Sequence, residues 1–210
     1  MRRLRETALP LSADRGGDSA LRQQAAALAR AWLGKRDAIS AGMTKAVLMI
    51  AGKFADADLA GAMTNELFKI DDSADRRKIL TALAQLREPA LRNRTLAIAL
   101  NEKINGREAQ NFLWQALQDD NNRIASFDYV RKNFDGLKAK LPQQTLAQLM
   151  VASDRLCNNS ERNDFVDFFL SRSEKMEGGP LIYKQALETM DLCIAARAGN
   201  DTNRKRVLVK

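Results

Sequence analysis

The chain has 210 residues, of which 45% are hydrophobic and 29% are charged. This composition is typical of a folded globular protein. It contains no histidine, which excludes Ser-His and Cys-His catalytic dyads and removes the commonest zinc ligand. The formal net charge is +8, but residues 1–6 carry +2 and residues 201–210 carry +3, so the body lacks the clustered charge typical of nucleic-acid binding.

Hydrophobic residues recur with helical spacing along nearly the whole chain. The first helix begins after a capping residue at Asp18 or Ser19 and carries Leu21, Ala25, Leu28 and Trp32 on one stripe. The second helix is predicted to begin at about Ser40 and to bury Val47, Met49 and Ile50. A helix at 56–70 follows, and then one that begins after a cap at Ser73 and runs to Leu86. Further helices are predicted at 90–100, 107–117, 122–137, 143–156, 160–171 and 180–196. No stretch alternates as a strand, so the predicted class is all-α.

The predicted helices form pairs that begin near residues 40, 73, 107 and 143, a spacing of about 33 to 36 residues. Such a spacing is typical of helical hairpins that stack only on their neighbours. The sequence therefore predicts a right-handed superhelix of antiparallel helix pairs, similar to HEAT or armadillo repeats. We place this repeat domain at residues 18–199, without an internal break. A linker or N-terminal extension at 1–17 precedes it, and a basic tail at 200–210 follows it.

The two cysteines, Cys157 and Cys193, stand far apart in the sequence. Two thiols are too few for the usual structural zinc sites, so we expect no metal and no cofactor in this chain. We expect buried thiols in a reducing compartment, with a disulfide as the alternative. No apolar run reaches the length of a membrane span, and none follows the basic N-terminus as in a signal peptide. We therefore favour a cytoplasmic location and expect no membrane partner.

Residues 61–65 read GAMTN, one letter away from GAMEN, the substrate-binding motif of a family of zinc aminopeptidases. Thr64 stands where the motif has a glutamate, whose carboxylate pairs with the ammonium group of the peptide. Met63 lies on the apolar stripe of a predicted helix, four residues from both Leu59 and Leu67. We interpret GAMTN as part of a packed helix and not as an active site.

A stronger resemblance lies further along the chain. Residues 127–137, FDYVRKNFDGL, are similar to W-D-F-V-x-x-N-W-x-x-L, a helix near the C-terminus of aminopeptidase N-type enzymes. Residues 75–100, DFVDFF at 164–169 and GGPLIYKQALE at 178–188 resemble three other segments of the same enzymes in the correct order. Over residues 18–197 the chain thus resembles the C-terminal helical domain of a zinc aminopeptidase.

This resemblance implies a role without catalysis. In the family, the domain is an all-α superhelix of HEAT-like pairs that closes over a thermolysin-like catalytic domain of the same polypeptide. It encloses the active-site chamber and shapes the access of peptide substrates, while the zinc ion lies in the catalytic domain. The parent enzyme would remove N-terminal residues from peptides, and a periplasmic or secreted location is open to it. The alternative is a free-standing helical-repeat module that binds another protein.

The resemblance also points to residues that would face the substrate. In some relatives the helix after the W-D-F-V segment reaches a substrate pocket, and the register points to Gln143 and Ala147 here. Those relatives have Phe and Asn at the two positions, so both residues differ. Arg123 is a third candidate, as a cation for a peptide carboxylate, with a solvated or ion-paired position as its alternative. The aromatic residues of the 127–137 segment are expected to be packing anchors between helices.

Overall fold

The computed structural model describes the backbone of residues 2–208 and the side chains of residues 7–199 except 143 and 144. Every regular element in this part of the chain is helical, so the predicted all-α class is confirmed. The chain divides into two compact units, Met1–Ala116 and Leu117–Lys210, where the sequence predicted a single repeat domain. The right-handed superhelical arrangement of the helix pairs stays a prediction. No helix among the described residues has the length and apolar character needed to cross a membrane.

The first unit consists of short helices joined by tight turns. Their bounds are Arg2–Asp14 (α1), Ser19–Gly34 (α2), Ala41–Lys53 (α3), Ala57–Leu67 (α4), Ser73–Leu83 (α5), Pro89–Leu96 (α6) and Gly106–Gln118 (α7), of which the last two residues belong to the second unit. Single 3-10 turns lie at Arg36–Ala38 and Ala97–Leu100. These helices lie close to the predicted positions because their apolar stripes and capping residues are local features of the sequence.

Aspartate side chains cap three of these helices. Asp18 accepts the N–H of Leu21 at 2.9 Å, and Asp56 accepts the N–H of Leu59 at 2.7 Å. The cap of α5 is Asp72, one residue before the predicted Ser73, and it accepts the N–H of Asp75 at 2.8 Å. Each carboxylate satisfies a backbone donor that the first helical turn leaves free.

The segment expected to be a linker or extension forms α1 and packs against α3. Ala13 is fully buried. Asp14, at the end of α1, pairs with Lys53 at 2.7 Å and with Arg87 at 2.6 Å. Burial opposes the charge of Asp14, but the two cations outweigh burial and lower the pKa of the carboxyl group. Residues 7–14 are therefore packed within the first unit, against α3.

The second unit contains six further helices within the described residues. Their bounds are Arg123–Lys132 (α8), Phe134–Lys140 (α9), Gln143–Leu146 (α10), Gln148–Ala152 (α11), Asn159–Ser173 (α12) and Gly179–Leu208 (α13). The sequence predicted one helix over 122–137, but the structure breaks it at Asn133. Asn133 Nδ2 donates to the carbonyl of Tyr129 at 2.9 Å, and such side-chain bonds compete with the helical backbone.

The end of the chain is also more helical than predicted. α13 continues to Leu208, through most of the segment interpreted as a basic tail. The side chains of residues 200–208, and residues 209 and 210 altogether, lie outside the described part of the chain.

Candidate functional site

Arg123, a predicted substrate-facing residue, lies at the start of α8 with only 12% of its side chain exposed. Its Nη1 donates to the carbonyl of Arg155 at 2.5 Å, and its Nη2 pairs with Asp120. Its Nε is buried and has no hydrogen-bond partner among the residues that the structure describes. The guanidinium group therefore joins the start of α8 to the loop after α11, and most of its surface is unavailable to a peptide.

Other polar groups of the second unit lie around Arg123. Ser126 is fully buried, and its Oγ has no hydrogen-bond partner among the described residues. Burial raises the pKa of Asp154, although a hydrogen bond from Gln118 and the charges of Arg155 and Arg123 act to lower it. Gln118 also donates to the carbonyl of Ala152 at 3.0 Å. This cluster connects the end of α7 to the end of α11, which is a structural arrangement.

Ala147 and Gln143 are the other two residues that the resemblance placed at the substrate. Ala147 is fully buried, so its side chain exposes no surface that a substrate could contact in this structure. A small apolar side chain between two short helices fills core space there. The side chain of Gln143 lies outside the described residues, and its substrate contact stays a prediction. The structure does not bring Arg123 and Ala147 to an open binding surface.

The two segments that carry the strongest resemblance pack against each other. Phe127 and Phe134 of the 127–137 segment are 3% and 8% exposed. The Phe134 ring meets Phe168 of α12 edge to face, with centroids 5.3 Å apart. The Phe127 ring stacks on Phe165, also of α12, with centroids 6.3 Å apart. Such pairs add to the free energy of burial, so these residues are packing anchors, as the sequence predicted.

The aromatic anchors and the all-helical class agree with the comparison to known protein families. The model of the family described as ERAP1-like C-terminal domain matches residues 1–192 of the 210-residue chain. This chain belongs to that family. The match confirms the resemblance to the C-terminal helical domain of aminopeptidase N-type enzymes. No curated protein matches the chain significantly.

In this ERAP1-like C-terminal domain, the GAMTN segment is helical. Met63 is fully buried in α4, and Thr64 Oγ1 donates to the carbonyl of Ala60 at 2.8 Å. Gly61, Thr64 and Asn65 line one side of a cavity of about 220 Å³. The same cavity is also lined by Leu91, Arg94, Thr95 and Ile98. The segment thus has neither the carboxylate nor the extended backbone of the peptidase motif, as the sequence predicted.

Since this ERAP1-like C-terminal domain has no histidine, the side chains that could bind a metal ion are those of Cys, Asp and Glu. Within the described residues, no group of three or more Cys, Asp or Glu side chains is placed to hold a metal ion. Cys157 and Cys193 form a disulfide with their Cα atoms 5.5 Å apart, so the expectation of two free thiols was wrong. The fold brings cysteines 36 residues apart to bonding distance, which their spacing alone does not reveal.

Proposed function

We propose that this domain is the non-catalytic C-terminal domain of a zinc aminopeptidase. It encloses the active-site chamber and shapes the access of peptide substrates, and the parent enzyme removes N-terminal residues from peptides. The observation that carries the proposal is the family match over residues 1–192, which covers nearly all of the chain.

The chemistry of the side chains supports a role without catalysis. With no histidine in the sequence, the domain lacks the usual general base and the commonest zinc ligand. Several carboxylates of the first unit cap helices or pair with cations, as Asp56 and Asp14 do. We therefore assign the zinc ion and the reacting groups to the thermolysin-like domain of the parent, which is the partner of this domain.

Cross-linked helices support a role as a rigid wall. Arg76 of α5 bonds Glu108 of α7 at 2.6 Å and also donates to the carbonyls of Leu67 and Lys103 at 2.7 and 2.9 Å. The Arg76 and Glu108 side chains are 13% and 16% exposed, so solvent screens this pair little. A scaffold of this kind restricts access by steric exclusion, without chemistry of its own.

The proposal is tested on the protein from its source. An antibody against residues 18–199 is expected to detect a band several times larger than 23.4 kDa. The immunopurified protein should release N-terminal residues from peptides, lose activity with a zinc chelator and regain it with added zinc. The isolated 210-residue chain with zinc is the control and should hydrolyse nothing.

Enclosure of the chamber has its own test. The purified parent should trim a ten-residue peptide but leave the same ten residues intact when they are fused closely to a folded protein. Trimming of both substrates at equal rates would contradict the enclosing role. A band at the mass of the chain itself would instead indicate a free-standing interaction module and would end the aminopeptidase proposal.

A further inference from the structure

A cavity of about 240 Å³ lies between α5 and α7 in the first unit. It is distinct from the predicted substrate-facing residues, which all belong to the second unit. The lining residues are Ser73, Arg77, Leu80, Thr81, Asn105, Arg107, Glu108, Asn111 and Phe112.

Two arginines at the rim of this cavity have no side-chain partner among the described residues. Arg77 and Arg107 are exposed, and neither side chain forms an ion pair or a hydrogen bond within the described residues. Their neighbour Arg76 differs, because it is largely buried and bonds both Glu108 and backbone carbonyls. Arg77 and Arg107 are therefore free to bind a ligand.

The acidic group that lines the cavity is already neutralised. Glu108 accepts hydrogen bonds from Arg76 Nε at 2.6 Å and from the backbone N–H of Asn105 at 3.1 Å. Asn105 Oδ1 in turn accepts the N–H of Glu108 at 3.0 Å, which leaves the Asn105 amide nitrogen as a donor. The cavity thus has an excess of positive charge and of hydrogen-bond donors.

Only part of the lining is apolar. Leu80 and Phe112 both contribute to the cavity wall, each through a small exposed edge that amounts to 3% and 1% of the residue. A ligand that satisfies both parts carries an anionic group for the guanidiniums and a short hydrocarbon segment for Leu80 and Phe112. A guanidinium matches a carboxylate with two parallel hydrogen bonds, and the volume of the cavity admits only a small group.

We propose that this cavity binds a carboxylate carried on a short apolar stem, held by Arg77 and Arg107. The proposal is independent of the role in substrate access, since it concerns the first unit alone. The carboxylate belongs either to a small molecule or to an acidic side chain of a polypeptide.

The test uses the 210-residue chain labelled with ¹⁵N and titrated with hexanoate. Backbone amide shifts near Leu80 and Phe112 should change and saturate. Inorganic phosphate lacks the stem and 1-hexanol lacks the charge, so each should bind at least tenfold more weakly. A peptide with blocked ends and one internal glutamate next to a leucine is titrated in the same way. If the peptide binds more tightly than hexanoate, the carboxylate belongs to a polypeptide side chain. If hexanoate binds more tightly, it belongs to a small molecule.

The matched variants use exposed arginines only. Arg77→Gln combined with Arg107→Gln should weaken hexanoate binding at least tenfold, with an unchanged circular dichroism spectrum. Arg94→Gln removes an exposed arginine from neighbouring α6 and should leave the affinity unchanged. Absence of saturable shifts, equal affinity of the double variant, or phosphate binding as tightly as hexanoate would each overturn the proposal.

Discussion

At the residue scale, Gly52 shows how closely two helices of the first unit approach. It is buried in α3, and a Cβ atom built there would lie 2.3 Å from the carbonyl oxygen of Ala82 in α5. No side chain fits in that space without moving backbone. Gly61 in the interior of α4 is the opposite case, because a Cβ atom there would meet nothing within 4 Å.

These two glycines give a matched prediction. Gly52→Ala should lower the free energy of unfolding by about 2–3 kcal/mol, because overpacking forces α3 and α5 apart. Gly61→Ala should raise it by about 0.5–1 kcal/mol, because alanine restricts the unfolded chain and favours the helix. Urea unfolding followed by circular dichroism measures both changes. A Gly52→Ala protein as stable as the original would show that the helices do not approach this closely.

At the scale of elements, the disulfide joins α13 to the segment just before α12. Arg162 of α12 and Asp191 of α13 strengthen the same pairing, with Nη2 and Oδ2 3.0 Å apart. Disulfides persist mainly in oxidising compartments. The cross-link therefore does not fit the reducing compartment that was expected from the sequence.

Reduction of this disulfide should destabilise the chain. Closing a loop of 36 residues restricts the unfolded state, and its loss should cost about 3–4 kcal/mol in the chain-entropy description. Urea unfolding with and without dithiothreitol measures the difference. The double variant Cys157→Ala, Cys193→Ala should match the reduced protein and show no response to the reductant. Two titratable thiols in the native protein would contradict the cross-link.

At the scale of the whole molecule, ion pairs with lowered carboxyl pKa values determine the response to acid. In Asp56 the backbone N–H of Leu59 is the main cause of the lowered pKa, although burial opposes it, and Arg30 adds to it. In Asp191 the hydrogen bond from Arg162 is the main cause. With Asp14, these groups bind protons less readily in the folded state than in the unfolded state.

Stability should therefore fall in acid. The contribution of these carboxylates is fully present above about pH 4, the unfolded pKa of Asp. It is lost as the pH falls through the lower pKa values of the folded protein. Asp154 acts in the opposite sense, because its folded pKa is raised. Urea midpoints between pH 7 and pH 2.5 should decrease, and Asp14→Asn should reduce the decrease. A constant or rising midpoint would contradict this balance.

Much of the secondary structure follows from local sequence features. Asp18 is one of the two predicted caps of α2, and α4 begins near the predicted residue 56. Trp32 and Met63 are buried, as their predicted apolar stripes indicated, because capping and helical periodicity act over only a few residues. The hydrogen bond from the Asn133 side chain to the backbone was not predicted. The single helix predicted at 122–137 is therefore two helices, α8 and α9, in the structure. The burial of Ala147 could not be predicted in this way, because it depends on neighbours distant in sequence.

The sequence by itself determined the all-α class, most helix positions in the first unit and membership of the family, since each depends on residues close together or on ordered motifs. Tertiary structure decided the rest. It joined Cys157 to Cys193, enclosed Arg123 and brought Arg77 to one cavity with Arg107, thirty positions away. These outcomes depend on which helices pack together. Packing is a property of the complete set of apolar faces and cannot be inferred from the spacing within any one helix.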